Sequence, residues 1–122
     1  MSYLLVNEDC TLGFKTSVPP VTGSITILPA SITTDFSSNG KKIYNDISFS
    51  ISGATNQTVT GGVLLLGVLK GNSSKVKGNL LPVIREDAEV SVTISGFVGS
   101  VATTFTSTVV VLNAGQTKLK GI

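Results

Sequence analysis

The chain has 122 residues, of which 41% are hydrophobic and only 13% charged, and its formal net charge is +2. That length fits one domain, 1–122, with room for a real core but not for two. Scattered lysines with few aromatics exclude a nucleic-acid-binding design, and the absence of histidine excludes Ser-His-Asp and Cys-His catalysis, most zinc sites and an imidazole pH switch.

From the N-terminus, MSYLLVNEDC has no basic n-region, and its apolar stretch from Tyr3 to Val6 is shorter than a signal-peptide core, so synthesis in the cytoplasm without Sec-type export is expected. Ser2 to Val6 reads as a strand, Asn7-Glu8-Asp9 as a polar turn and Thr11 to Lys15 as a second strand, which predicts a hairpin. Cys10 has no second cysteine to pair with and no histidine to activate it, so it reads as a half-buried structural thiol. Pro19-Pro20 fixes an extended connection. Ser24 to Leu28 then alternates polar and apolar, with Ile25 and Ile27 on the buried face, until Pro29 interrupts it. Ile32 to Phe36 and Lys41 to Tyr44 flank Ser37-Ser38-Asn39-Gly40, a turn in which Asn-Gly readily accepts positive φ.

Ile47 to Ser52 is the cleanest period-two alternation, with Ile47, Phe49 and Ile51 on one face and three serines on the other. Gly53 is expected to close that strand, and Ala54 to Thr60 to connect it to Gly61-Gly62, read as a turn. Gly61 to Asp87 holds the only long apolar run: Val63, Leu64, Leu65, Leu66, Val68 and Leu69. These are too few for a bilayer span of about 20 residues, so stable membrane insertion is not expected; the unbroken run predicts burial on both faces, in the core or against a docking partner. Lys75-Val76-Lys77 and Leu81 to Arg85 read as return strands. Glu89 to Ser95 places Val90, Val92 and Ile94 on one face and is expected to end near Ile94, with Phe97 to Thr103 as a connection. Thr104 to Leu112 is a β-branched strand, Asn113-Ala114-Gly115 a turn and Gln116 to Lys120 a last short strand. No stretch combines a 3.6-residue period with start and stop signals. The expected fold class is therefore all-β: a small single-domain cone, or compact barrel or sandwich, of short antiparallel hairpins, essentially without helix.

Lys75-Val76-Lys77-Gly78 resembles Lys118-Leu119-Lys120-Gly121, and Ile43-Tyr44-Asn45-Asp46 parallels Ile84-Arg85-Glu86-Asp87. The repeated turn grammar of a meander accounts for this similarity; the sharper alternative is a pseudo-symmetric layout matched to a symmetric partner. The acidic groups, Glu8, Asp9, Asp35, Asp46, Glu86, Asp87 and Glu89, lie at or beside predicted turns. A paired-carboxylate hydrolase needs two of them about 5 to 10 Å apart across a cleft, and Glu86 and Asp87, as neighbours in an extended chain, point to opposite faces. Asp9 and Asp87 lack the dense ligand loop of a calcium hand. Asn56-Gln57-Thr58 and Asn72-Ser73-Ser74 match the glycosylation pattern but, without a secretory signal, read as loop residues. Gly61-Gly62 and Gly71 precede no helix that could hold a phosphate, and each reads as a turn. No catalytic residue, cofactor or metal ligand is expected.

The phrases LLVNEDCTLGF, VTGSI at 21–25, NGKKIYND at 39–46, the GGVLLLGVLKGNSSKVKGNLLPVIRED core and the closing LNAGQTKLKGI resemble the PAAR-like spike-tip proteins of extracellular and thylakoid-type contractile injection systems. The resemblance implies a cone of β-hairpins whose base caps a trimeric spike, one tip per trimer, with a mechanical role in puncturing the target envelope and the option of tethering effector cargo. It also implies assembly into the particle at the tip of the spike. Zinc-binding members of the wider family use histidines with a cysteine at the apex, whereas this chain has Cys10 and no histidine. The alternative is a capsid decoration or virion accessory protein, equally small, all-β and apolar where it docks. A carbohydrate- or peptide-binding sandwich ranks below both because the chain has no Trp and only two Tyr, and an enzyme ranks last.

Overall fold

Wherever side chains alternate, the chain is extended. The computed structural model describes residues 3–17, 20–28, 32–38, 41–78, 81–116 and 120–121, and among them it is all-β, with no helix. The strands are β1 (Tyr3–Leu4), β2 (Thr11–Phe14), β3 (Val21–Ile27), β4 (Ile32–Ser38), β5 (Lys41–Tyr44), β6 (Asp46–Asn56), β7 (Val59–Lys70), β8 (Lys77–Gly78), β9 (Leu81–Pro82), β10 (Glu89–Val98), β11 (Val101–Asn113) and β12 (Lys120–Gly121). Six of them form one antiparallel sheet in the order β2-β11-β10-β7-β6-β3. Its outermost strands, β2 and β3, come side by side without a ladder between them, so the sheet curls almost into a barrel. Three separate two-stranded ribbons, β1-β12, β4-β5 and β8-β9, complete the fold.

A ribbon followed by two strands of the sheet is the repeating unit. Ribbon β4-β5 leads into the hairpin β6-β7 and β8-β9 into the hairpin β10-β11, while β12-β1 leads into β2 and β3, which share no ladder; this last unit is divided between the two ends of the chain. The ribbons share one register: Ser37 pairs with Lys42, Lys77 with Pro82 and Lys120 with Leu4, and one step further Ser38 pairs with Lys41, Gly78 with Leu81 and Gly121 with Tyr3. Lys77-Gly78 of KVKG and Lys120-Gly121 of KLKG are thus equivalent strands, and the sequence similarity between the two segments matches a threefold layout.

Inner faces build the core. Ile47, Phe49 and Ile51 of β6 are fully buried as the alternation predicts, together with Leu69, Ile94 and Val109. Phe49 sits directly across from Gly67, and a Cβ built on that glycine would lie 2.5 Å from the ring's Cζ. The ring therefore covers bare backbone where a larger residue would not fit.

Several elements differ from expectation for identifiable reasons. β1 does not form a hairpin with β2; it pairs with β12, while β2 pairs with β11, because a closed layout brings the two ends of the chain together. Gly53 does not end β6, and Gly61-Gly62 is not a turn. Gly53 and Gly61, with φ of 60° and 64°, lie where the β6–β7 register shifts by one residue, so they are bulges that bend a continuous hairpin turning at Gln57-Thr58. Likewise β10 continues past Ile94 to Val98, and the expected connection from Phe97 to Thr103 shrinks to a turn at Gly99-Ser100. The Asn39-Gly40 turn, Pro29, Pro19 and residues 117–119 of the last predicted strand lie outside the described residues.

β7 corrects the largest misreading. Leu69 is buried and Leu64 and Val68 are half-buried, but Val63, Leu65 and Leu66 are 44%, 84% and 61% exposed. A curled sheet has one inner face, so a continuous apolar run cannot be buried on both sides. Between the pairs Phe49–Gly67 and Ile51–Leu64 the ladder gains one residue on β7, and both leucines of that bulge lie outside the core. Gly67→Ala is expected to cost about 1–3 kcal/mol by forcing the Phe49 ring aside, and Phe49→Ala about 3–5 kcal/mol, measured as lower urea midpoints at unchanged slope. A Gly67→Ala protein as stable as the parent would show that the ring does not need that glycine.

Candidate functional site

At the end of the barrel where the ribbons join the long strands, three stretches meet around one axis: Leu5-Val6-Asn7, Ile43-Tyr44-Asn45 and Val83-Ile84-Arg85. Val6 N–H donates to Ile84 C=O, Ile84 N–H to Tyr44 C=O, and Tyr44 N–H to Val6 C=O, each at 3.0 Å. Three donors and three acceptors thus close a ring. Around it runs a second set: Glu86 N–H donates to Leu4 C=O at 2.8 Å and Glu8 N–H to Lys42 C=O at 3.1 Å. These bonds make the bridges Leu5–Arg85 and Asn7–Ile43. The third corner has one residue fewer, Tyr44-Asn45-Asp46 against Val6-Asn7-Glu8-Asp9 and Ile84-Arg85-Glu86-Asp87. There the Asn45 side chain takes the place of the missing backbone donor, its Nδ2 giving a 3.3 Å bond to Pro82 C=O.

The ring is dry and every corner is locked by polar atoms. Leu5, Val6, Asn7, Ile43, Val83 and Ile84 are 0 or 1% exposed, so an unmet amide here would lose its full hydration energy. Asn7 Oδ1 accepts from Asp9 N–H at 2.9 Å, an Asx turn. Gln116 Nε2 donates to Leu5 C=O at 2.7 Å, and Asn7 N–H to Ala114 C=O at 3.0 Å, which ties the C-terminal region into the ring. At the third stretch, Arg85 holds Asp87 through two bonds of 2.9 and 2.8 Å, its guanidinium lies 4.8 Å over the Tyr3 ring, and its N–H donates to Asn72 Oδ1 at 2.7 Å. Two acidic side chains thus hold this end together, Asp87 through Arg85 and Glu8, whose Oε1 accepts from Lys42 N–H at 2.8 Å, and the Asn72-Ser73-Ser74 stretch is a loop that packs against it.

Cys10 acquires a structural meaning from the repeat. Its N–H bonds Asn7 C=O at 3.0 Å as Ala88 N–H bonds Arg85 C=O at 3.0 Å, and both residues are buried. Cys10 thus fills, beneath one corner, the small apolar position that Ala88 fills beneath another. Burial pushes its thiol from 9.0 up to about 11, with Asp9 adding to the rise and a backbone bond opposing it. Burial also raises Tyr44, helped by Cys10 and Glu8. A protonated, enclosed thiol is a poor nucleophile. Among the described residues no group of three or more His, Cys, Asp or Glu is placed to hold a metal ion, and no helix is long and apolar enough to cross a membrane.

The six apolar residues singled out on β7 do not gather into one site: they divide between the core and the outer wall. The closed ring was the feature missed. Its only trace in the sequence is the set VNEDC, IREDA and YNDI: the parallel between residues 43–46 and 84–87 sets Ile43 against Ile84, one residue out of the ring's register, in which Tyr44 matches Ile84, and VNEDC has no part in that parallel. Comparison with family models, with curated proteins and with solved structures finds no match to this chain.

Asn45→Ala is expected to cost about 1–3 kcal/mol, because Pro82 C=O loses a donor in a half-dry corner; a change below a few tenths would mean that water replaces the side chain. The thiol makes a second prediction. The folded state holds the Cys10 proton more tightly than the unfolded chain, so its contribution to stability is complete below pH 9.0 and is lost as the pH rises through about 11. Denaturant midpoints should fall over that window and fall less in Cys10→Ala, and native Cys10 should resist a thiol reagent at pH 8 that labels the unfolded chain at once.

Proposed function

We propose that this chain is the single-copy tip that caps a trimeric spike in a phage-tail-like contractile injection system. One observation carries the reading: three successive stretches of a single chain close a ring of backbone hydrogen bonds in a common register. A trimer presents each feature of its end three times, and a monomer matches that end only if its own backbone repeats three times about one axis. The threefold register is kept at the ribbon end, where Lys42, Lys77 and Lys120 are exposed on the ribbon rungs. It is lost at the far end, where β2 is much shorter than β6 and β10. The ribbon end is therefore the one that faces the trimer, its strands continuing the partner's strand ends.

Charge is distributed the same way. Residues 47–69 and 90–116 contain no charged side chain, so most charge collects near the ring. In this reading the protein works mechanically: sheath contraction drives tube and spike, and a rigid, helix-free tip concentrates the force on the target envelope. Catalysis, cofactor, nucleic acid and stable membrane insertion have no part in it, and effector cargo is an optional passenger. Synthesis in the cytoplasm and assembly at the tip of the spike follow from the same reading.

The test is stoichiometry. With this chain as bait for a candidate trimeric spike, native mass spectrometry should find three spike chains with one tip, and Lys42→Glu/Lys77→Glu/Lys120→Glu should weaken the complex by about tenfold or more. Three tips per trimer would overturn the reading, and many copies on a shell surface would replace it with capsid decoration.

A further inference from the structure

Away from the ring, the barrel carries no charge. Residues 16–34, 47–69 and 90–116 hold no Asp, Glu, Lys or Arg, and they include the turns at Gln57-Thr58 and Gly99-Ser100. Going along β11 from the second of these turns, the first charge met is Lys15, whose N–H bonds Thr108 C=O and whose ammonium pairs with Glu89 at 3.2 Å. Thr108 is seven residues from Val101, so at about 3.3 Å per residue the turn stands about 23 Å from that pair.

What the β10–β11 turn does expose is apolar. Successive side chains of a strand point to opposite faces, and β10 and β11 pair without a shift as far as Val98 and Val101. Ile94 is buried, so Val98 faces inward with its partner Val101, at the mouth of the barrel, while Phe97 and its partner Ala102 face outward. Phe97 is 50%, Val98 40% and Val101 65% exposed. The Phe97 rung continues to Thr60 on β7, and Val63, paired with Ser95, stands on the next outward rung. This seam between β7 and β10 is one strand removed from the side of β11 on which β2 and Lys15 bond.

We propose that this hairpin tip enters the headgroup–acyl boundary of a lipid bilayer, shallowly and reversibly, led by Phe97, Val98 and Val101 with Val63 behind them. Three features select lipid over a protein. The tip is apolar on both faces: a protein surface covers one of them, whereas a bilayer closes around the turn. Its polar backbone is provided for, since β10 pairs with β11 up to the turn and with β7 up to Phe97, and Thr60 Oγ1 donates to Phe97 C=O at 3.5 Å. No charge has to leave water, because an interfacial depth of about 5 to 10 Å takes in the tip, reaches Val63 and stops well short of Lys15. The contact is not a span, and it requires no part of the spike reading.

The chain has no Trp, so Phe97→Trp places a single indole at the tip, and Ser91→Trp places one on the same face of β10 nearer the ring. With phosphatidylcholine vesicles, the emission of Phe97→Trp should move to shorter wavelength and be quenched by brominated acyl chains, equally in low and high salt, and that of Ser91→Trp should not change. Flotation of the unaltered protein with the same vesicles should fall about tenfold or more in Phe97→Ser/Val98→Ser/Val101→Ser. The indole readout holds even if that variant does not fold. The proposal fails if the two indoles respond alike or not at all, or if the folded triple serine variant floats as well as the parent. It fails if binding needs anionic lipid and disappears in high salt, which would assign it to the lysines of the ribbon end. It fails also if the Phe97→Trp emission shifts with rising protein concentration before vesicles are added, since a second copy of the chain then covers the tip.

Discussion

Three amides and three carbonyls that satisfy one another around an axis are the constraint on which the rest of this structure depends. Each bond of the ring contributes only about 1 kcal/mol net, but an unmade one would strand a buried polar group at a cost of about 1–3 kcal/mol. The ring therefore needs all three stretches at once. They lie some 40 residues apart in sequence, and Gln116 and Ala114 bond into the same corner, so the contacts that define the fold are almost all non-local. Long hairpins leave the ring like staves, and their inner faces, led by Phe49, Ile51, Ile94 and Val109, fill the space it encloses.

The local grammar was legible in the sequence because local physics decides it. Ile47, Phe49 and Ile51 alternate with serines and are buried; the strands expected at Ile32 to Phe36 and Lys41 to Tyr44 do pair, although Ser37 and Ser38, expected in the turn, belong to the ladder; Asn113 Oδ1 accepts from Gly115 N–H in the predicted turn. Closure was not legible. Tyr3–Leu4 looked like half of a hairpin with its nearest neighbour, and only a partner more than 110 residues away explains where it pairs. The apolar run of β7 misled because composition does not show curvature: two bulges and a curled sheet turn Leu65 and Leu66 outward. The threefold repeat was half-visible, since one copy has lost a residue at Asn45-Asp46 and another is divided between the ends of the chain.

The departures from symmetry carry as much information as the symmetry. Where a backbone donor is missing, Asn45 lends a side-chain amide, so the ring is held even against a deletion. At the far end the repeat is less regular: β2 stops at Phe14, and among the described residues its ladder with β11 ends at the Lys15–Thr108 bond. One end of the protein is thus regular and charged at its rim, and the other is uncharged and less regular. Cys10 illustrates how a reactive residue type can be chosen for size alone, standing where the next repeat has Ala88.

Residue-resolved hydrogen exchange of the isolated protein tests this account most directly. If the ring is the keystone, the amides of Val6, Tyr44 and Ile84 exchange only through global unfolding, at one common and slowest rate, although they belong to three distant parts of the chain. Fast or unequal exchange at any one of the three, while the β6 and β10 amides stay protected, would show that the long hairpins stand without the ring and would contradict the account.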